Sequence, residues 1–369
     1  MSLSGYPEQR RTSAGPRILA CAWLGFIAIL LTGGVALSIL GSPQAGRGVV
    51  VMDLPPAHAV AFRPAPILPR LPPAQAPGPA EQLEPMTAAP PPSVPPRITQ
   101  QQFAGKALIA DPALIENTPE GPLPRIADDG TTPMRAYAPA VVSDGRPRIA
   151  IVVSGLGISA KQTSAAIDGL PAGVTLALAP YDADVQRWVA MARRGGHEVL
   201  LELPMEPYDF PDSDLGPHTL RTGSAEDANT ERMVWAMTRF TGYAGVTNLL
   251  GGRFLSDSNS LEPVMSFLAR RGLFFFDNGQ EAHSTAPDVA HSSGTAFLQA
   301  DLTVDKIQTA MEIDRRLSSL ETLARTRGNA VGAALLYPVT IERIRAWAQG
   351  LAGRGFVLVP ASAIVGPVK

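Results

Sequence analysis

Seven polar or charged side chains lie at or just beyond the ends of apolar, strand-like segments that follow Pro147. They are Ser154, Glu202, Glu206, Asn248, Arg253, Asp277 and Asp301. Carboxylates in such positions can act as general acids, as general bases or as ligands of hard cations. We interpret Glu202 and Asp277 as candidate catalytic groups and the other five as candidates for ligand binding. The structural alternative is that each acid caps a loop or pairs with Arg253.

The elements that position these side chains alternate along the chain after Pro147. The predicted strands are 148–153, 174–178, 198–203, 245–249, 273–276, 296–299, 330–336 and 355–359. The predicted helices are 159–170, 184–194, 224–240, 261–271, 304–327 and 341–351. Strands buried on both faces and joined by helices predict a parallel sheet with right-handed crossovers. We expect a (β/α)7–8 barrel, with an open doubly wound sheet as the alternative. In both folds a ligand meets the carboxyl ends of the strands.

A glycine motif follows the first predicted strand. Gly155-x-Gly157-x-x-Ala160 fits the dinucleotide-binding fingerprint. The acid expected after the second strand is absent, and a tight turn alone explains both glycines, so nucleotide binding is the weaker interpretation. The histidines do not have metal-ligand spacing, since His283 and His291 are eight residues apart and His197 begins a strand. We assign no metal ligand.

Composition excludes several classes of protein. With 31 basic and 33 acidic residues among 369, the chain has a formal charge of -2, which excludes a broad basic surface for nucleic acid. The single cysteine excludes intrachain disulfides, a cysteine zinc cage and an iron–sulfur cluster. The hydrophobic share of 45% allows a sizeable core.

The N-terminal part of the chain predicts a membrane anchor. Residues 18–40 carry no charge and can span about 30 Å of hydrocarbon. Arg10, Arg11 and Arg17 precede this run, so the positive-inside rule places residues 1–17 in the cytoplasm and exports the rest. A cleaved signal peptide is the alternative. We expect a single-pass protein of the cytoplasmic membrane with an extracytoplasmic C-terminal domain.

A proline-rich segment follows the predicted anchor. Residues 41–140 contain 22 of the 36 prolines and show no sustained apolar period. Such a composition cannot bury enough surface to offset the ordering entropy, and it favours extended conformations. We predict that 41–146 is a disordered spacer, with one weak helical stretch around 100–115.

Four sequence blocks in the C-terminal part carry a family resemblance. They are the run 149–153 with Gly155-Leu156-Gly157, the block 196–207 (GHEVLLELPMEP), Gly245-Val246-x-Asn248-x-x-Gly251-x-Arg253-Phe254, and Tyr337-Pro338-x-Thr340. With these blocks, residues 147–365 resemble the divergent polysaccharide deacetylase family, and we take 147–369 as that domain. The resemblance implies a variant of the deacetylase (β/α)-barrel and an acetylated glycan as substrate. It also implies a divalent metal such as zinc, held by an aspartate and histidines, and a carboxylate base.

The chain departs from this family pattern at the residues of the chemistry. The first strand usually ends in Asp-Asp, where this chain has Val153-Ser154. Glu202 and Leu249 stand where histidines are usual, and in a looser alignment Leu335 replaces a third. Aliphatic side chains cannot coordinate a metal, so we expect no cofactor.

Three functional hypotheses follow. The first is a membrane-anchored domain that binds an envelope glycan or an envelope protein without metal-dependent activity. The second is an active hydrolase that deacetylates an envelope glycan with Glu202, Asp277 and Asp301. The third is a structural or nucleotide-binding module.

Overall fold

The computed structural model describes residues 110–141 and 144–366. The predicted cytoplasmic terminus 1–17, the predicted anchor 18–40 and most of the predicted spacer lie outside the described residues. Within the described ranges, no helix has both the length and the apolar character needed to cross a membrane.

Eleven strands lie in the described residues. They are β1 Ile115–Thr118, β2 Gly121–Pro124, β3 Arg148–Leu156, β4 Thr175–Leu178, β5 Val199–Met205, β6 Gly245–Leu250, β7 Phe274–Asp277, β8 Ala296–Gln299, β9 Leu302–Thr303, β10 Asn329–Leu335 and β11 Val357–Leu358. All eight predicted strands are present. The unpredicted strand after Pro147 is β9, and β3 extends three residues beyond its predicted end.

Nine α-helices lie in the same residues. They are α1 Pro133–Tyr137, α2 Ala160–Gly169, α3 Val185–Arg194, α4 Glu226–Met237, α5 Gly252–Leu255, α6 Ser258–Arg270, α7 Ala286–Ser293, α8 Ala310–Arg327 and α9 Pro338–Gln349. The longest, α8, starts at Ala310, with Thr309 as its cap, rather than at the predicted residue 304. Neither α5 nor α7 was predicted, because both are short.

The strands from β3 onward form one parallel sheet of nine strands. Its order is β8-β7-β6-β5-β4-β3-β10-β9, and β11 also pairs with β3. The expected parallel strands with helical crossovers are therefore confirmed, and the sheet curves into a half-barrel. Its two edge strands, β8 and β9, do not pair with each other. We call the end at which the strands finish the mouth.

Consecutive residues join the two edges of the sheet. The Ala300 N–H donates to the carbonyl of Asp277 at the end of β7, at 2.9 Å. The next N–H, of Asp301, donates to the carbonyl of Val331 in β10, at 2.8 Å. The chain thus passes from one edge to the other within two residues, which we call the seam. At this line the peptide chain itself joins β8 to β9, and no ladder of hydrogen bonds connects these two strands.

Side chains on each strand alternate between two cores. Ile149, Ile151 and Val153 of β3 pack outward against the helices. Ala150 and Val152 belong to the inner core, which phenylalanines of β7 also fill. Because the period of a strand is two, Ser154 continues the inner face of β3 toward the mouth. By the same alternation Glu202 follows the inner residue Leu200.

Residues 110–141 are folded, which corrects the predicted spacer 41–146. The antiparallel hairpin β1–β2 and the short helix α1 lie here. Leu114 and Tyr137 are buried in the inner core, and Leu123 is buried in the outer core. The proline-rich composition concealed this unit because its few apolar residues show no regular period. Proline suits its positions, since Pro133 opens α1, where no N–H is needed.

Candidate functional site at the mouth

A bulge at the end of β3 brings the first two candidate residues together. The register between β3 and β4 shifts between Val153 and Leu156, and Gly155 has a φ of +93°. This local geometry turns the Gly155 N–H toward β5, where it donates to Glu202 Oε1 at 2.6 Å. Ser154 is 5% exposed and Glu202 is completely buried. The predicted proximity of Ser154 and Glu202 therefore exists, but beneath the surface of the mouth.

Burial controls the protonation of Glu202. It raises the pKa of this carboxyl to about 8, against the opposing effects of the Gly155 N–H and the Ser154 hydroxyl. Within the described residues Glu202 Oε2 accepts no hydrogen bond, and neither does the buried hydroxyl oxygen of Thr247. Thr247 is the register partner of Glu202 on β6, so both side chains lie on one face of the sheet. At neutral pH this pair contains a neutral carboxylic acid.

A second group holds the long loop after β5. Glu206 Oε2 accepts hydrogen bonds from the Thr222 N–H at 2.6 Å and from the Thr222 hydroxyl at 2.8 Å. Glu206 Oε1 lies 3.3 Å from the guanidinium of Arg253. The Arg253 side chain is 53% exposed, so one side of this ion pair faces solvent. The pair fixes the loop and leaves a cation at the mouth.

Asn248 and Asp277 are occupied by their own loops. Asn248 Oδ1 accepts from the Asn278 N–H, and Asn248 Nδ2 donates to the Leu250 carbonyl. Asp277 accepts from the Gly279 N–H and from the hydroxyl of Ser284. These bonds stabilise the connections after β6 and β7. The structural alternative thus accounts for both side chains.

Asp301 does not join the other candidates, which corrects its predicted position at a strand end. Its Oδ1 pairs with Arg327 at 2.9 Å, and its Oδ2 accepts from the Val331 N–H. Arg327 ends α8 directly before β10, so it lies at the end of the sheet opposite the mouth. The seam explains the error, because the chain crosses to the start of β10 immediately after β8.

Asp305 is a mouth residue that the sequence analysis missed. It is 2% exposed, and its Oδ2 accepts from the Leu335 N–H and from the Thr340 hydroxyl. Burial raises the pKa of this carboxyl, and Oδ1 is buried without a partner among the described residues. The available signal was an acid directly after the short run Leu302-Thr303-Val304. It was overlooked because β9 has only two residues and because Asp305 itself was placed in the predicted helix 304–327.

One comparison with known proteins identifies a family. Residues 151–365 match the profile of the divergent polysaccharide deacetylases. The chain belongs to this family. A solved structure of an uncharacterized Agrobacterium tumefaciens protein is 40% identical, with a TM-score of 0.65, and the match covers 66% of this chain and all of that one.

Two curated relatives are uncharacterized proteins of other bacteria. YibQ of Escherichia coli is 25% identical over 59% of this chain and 67% of its own length. A protein of Haemophilus influenzae is 23% identical over 57% of this chain and 74% of its own length.

The residues at the mouth do not fit the divalent metal that the deacetylase resemblance implies. Val153 and Leu249 stand at positions of the expected acid and histidine and offer no donor atom. Of Val153, Glu202 and Leu249, only Glu202 carries a carboxyl group, and its burial favours the protonated, uncharged form. Within residues 110–141 and 144–366, no group of three His, Cys, Asp or Glu side chains could hold a metal ion. A zinc site needs three or four such ligands.

The glycine turn after β3 is engaged within the protein. The Gly155 N–H donates to Glu202, and the Gly157 N–H donates to the Thr163 hydroxyl at 2.9 Å. A dinucleotide site needs such donors free for phosphate. The two glycines are explained by the bulge and by the turn that follows it. Their N–H groups are already bonded within the protein, so they give no support to nucleotide binding.

Exposed apolar side chains concentrate at the mouth. Among the described residues seven large apolar side chains are exposed, and six of them end or follow a strand of the nine-stranded sheet. These six are Ile158, Tyr181, Tyr208, Leu250, Ile307 and Met311. The seventh, Ile126, follows the N-terminal hairpin. Apolar groups collected on one face of a soluble domain are typical of an interaction surface.

Proposed function

We propose that the protein binds a glycan of the cell envelope at the mouth of the half-barrel and does not perform metal-dependent deacetylation. The observation that carries this proposal is the position of the exposed apolar residues, six of which share the end where ligands meet parallel strands. The glycan is proposed from the family, and the loss of metal chemistry from the donor set at Val153, Glu202 and Leu249.

Two tyrosines are the proposed contacts for sugar rings. Tyr181 is 41% exposed, and its hydroxyl donates to the Leu215 carbonyl, which holds the ring at the surface. Tyr208 is 57% exposed and lies against Gly252, where an added Cβ would come within 2.9 Å of the ring carbons. A fixed, half-exposed ring offers contact area at a low cost in side-chain entropy. Arg253, which follows the Gly252 that Tyr208 lies against, can donate hydrogen bonds to sugar hydroxyls.

The proposed location is outside the cytoplasmic membrane, with 18–40 as an uncleaved anchor and the following prolines as a spacer. The uncharged run behind three arginines supports it. An envelope protein bound at the same surface remains the other partner that we predicted. No nucleic-acid partner is proposed.

Binding to purified peptidoglycan and to soluble acetylated amino-sugar oligomers tests the proposal. The full-length protein in detergent should bind, and the double variant Tyr181→Ala/Tyr208→Ala should weaken binding at least tenfold. Ile126→Ala is the matched control, because it removes an exposed apolar side chain away from the mouth. Equal affinity of the double variant and the control would contradict the proposed surface.

Metal-free hydrolysis is the second candidate function, and one observation favours it. A buried carboxyl with a pKa of about 8 is protonated at neutral pH and can act as a general acid. Asp277 has less support as its partner, because loop groups occupy its oxygens. Acetate release in the presence of a chelator, abolished by Glu202→Gln, would establish this function and overturn the binding-only proposal.

A further inference from the structure

A cavity of about 340 Å³ lies between α4 and α6, beside the mouth. Both helices begin at this end of the half-barrel, since they follow β5 and β6. Gly223 lines the cavity directly after Thr222, which Glu206 holds. Gly223 and Thr222 thus connect the cavity with Glu206, which also pairs with Arg253. Its volume is at the lower end of the range of about 300–1,000 Å³ for small-molecule pockets, so it accommodates one ring.

One wall of the cavity offers hydrogen-bond donors. The N-cap residue of α4 is Ala225, whose side chain cannot accept a hydrogen bond from an N–H of the first turn. The first N–H groups of a helix have no partner inside the helix, and here no side-chain cap replaces one. Ser224 and Thr230 add hydroxyls to the same wall.

The opposite wall offers acceptors. Pro263 lies inside α6 and has no N–H, so the helical hydrogen bond to the Asn259 carbonyl is missing. Both residues line the cavity, as does Asp257. The Asp257 carboxylate accepts from the Asn259 N–H and from the Ser260 hydroxyl, which fixes this wall. Walls with opposite hydrogen-bonding character suit hydroxyl groups, which donate and accept at once.

The charges at the cavity select against anions. Glu226 and Asp257 line it, and the nearby Arg232 is not among the lining residues because its guanidinium is bound to Ser224 and Asn229. Two carboxylates would repel an anionic sugar, whereas they would not repel an uncharged ring. Val264 adds an apolar surface for the ring carbons.

We infer that this cavity is a sugar subsite that takes one uncharged hexose or hexosamine ring of a glycan whose neighbouring rings lie on Tyr208 and Tyr181. The inference rests on the proposed function and extends it by a second, polar binding position. The subsite makes affinity depend on chain length, because a disaccharide covers the tyrosines only and a longer oligomer also fills the cavity.

A larger groove of about 650 Å³ provides the control. It is lined by the C-terminal ends of α2, α3 and α9 and therefore lies at the opposite end of the half-barrel. Ala348 of α9 is in its wall, so Ala348→Tyr fills a groove of this protein without touching the mouth.

The test measures the affinity of the full-length protein in detergent for a disaccharide and a hexasaccharide of β-1,4-linked N-acetylglucosamine. Thr230→Tyr fills the cavity and should weaken hexasaccharide binding about tenfold, with disaccharide binding unchanged. Pro263→Ala restores an N–H for the Asn259 carbonyl, so it should raise the unfolding temperature and weaken hexasaccharide binding about fivefold. Ala348→Tyr should leave both affinities unchanged. A hexasaccharide that contains glucuronic acid should bind more weakly than the neutral one.

The outcomes separate this inference from the proposed function. Unchanged hexasaccharide affinity in Thr230→Tyr and Pro263→Ala, together with loss of binding in Tyr181→Ala/Tyr208→Ala, would overturn the subsite and leave the mouth intact. Pro263→Ala with a raised unfolding temperature and full affinity would assign the proline a purely structural role. Absence of binding by the wild-type protein would overturn both.

Discussion

Glu202→Gln should stabilise the protein at neutral and alkaline pH. Glutamine keeps the size of the side chain and an acceptor for the Gly155 N–H. It also removes the titration of a completely buried acid. The difference between wild type and variant therefore isolates the protonation of this one group.

The pKa of Glu202 gives the sign and size of the effect. Burial raises the pKa from 4.5 to about 8, so the folded state binds the proton more tightly than the unfolded state. Wild-type stability is then highest below pH 4.5 and falls as the pH rises toward 8. At about 1.4 kcal/mol per pH unit, the loss is about 3 kcal/mol at pH 7 and approaches about 5 kcal/mol above pH 8. A net stability of about 5–15 kcal/mol makes this loss measurable.

Urea unfolding followed by tryptophan fluorescence, from pH 4.5 to pH 9, measures the effect. The free energies of unfolding of wild type and Glu202→Gln should be similar at pH 4.5 and diverge as the pH rises. Glu312→Gln is the control, because hydrogen bonds from Arg315 hold the pKa of Glu312 at about 2, so it stays ionised throughout. A difference between wild type and Glu202→Gln that does not change between pH 5 and pH 9 would refute the argument for a buried, protonated Glu202.

Three further predictions concern the domain boundary, the missed acid and the topology. A chain that starts at residue 140 should unfold at a lower temperature in circular dichroism than one that starts at residue 105. The shorter chain lacks the buried residues Leu114, Leu123 and Tyr137, each of which contributes about 1.5–3 kcal/mol to the free energy of unfolding. Equal unfolding temperatures of the two chains would contradict this role. Asp305→Ala should lower the free energy of unfolding in urea by about 1–3 kcal/mol, because it leaves the Leu335 N–H without its partner. An unchanged value would count against the buried bond. A reporter that is active only in the cytoplasm, fused after Lys369, should stay silent, and clear activity there would contradict export.

The sequence predicted the sheet well because its signals are local. Buried parallel strands appear as short apolar runs, and glycine or proline marks their ends, so the eight predicted strands could be located individually. Their order follows from right-handed crossovers. The way in which the two edges of the half-barrel are joined could not be predicted, because it depends on two residues, Ala300 and Asp301, that carry no periodic signal.

The candidate site was predicted in part for a related reason. That Ser154 and Glu202 would meet follows from parallel geometry alone. The hydrogen bond that Glu202 accepts depends on a bulge that turns the Gly155 N–H inward, and a glycine in the sequence is equally consistent with an ordinary turn. The sequence analysis selected Asp301 and missed Asp305, because a strand of two residues such as β9 cannot be recognised by periodicity.

The seam gives one side chain an unusual share in holding the wall of the half-barrel together. The ladder between β9 and β10 has only two paired positions, against six between β5 and β6 and seven between β3 and β10. The N–H groups of Asp301 and Val304 add backbone bonds to β10 along the same line, and the Asp301 carboxylate adds bonds to Val331 and Arg327. Loss of that carboxylate would therefore loosen the join between β9 and β10, where the peptide chain from β8 to β9 connects the two edges of the sheet.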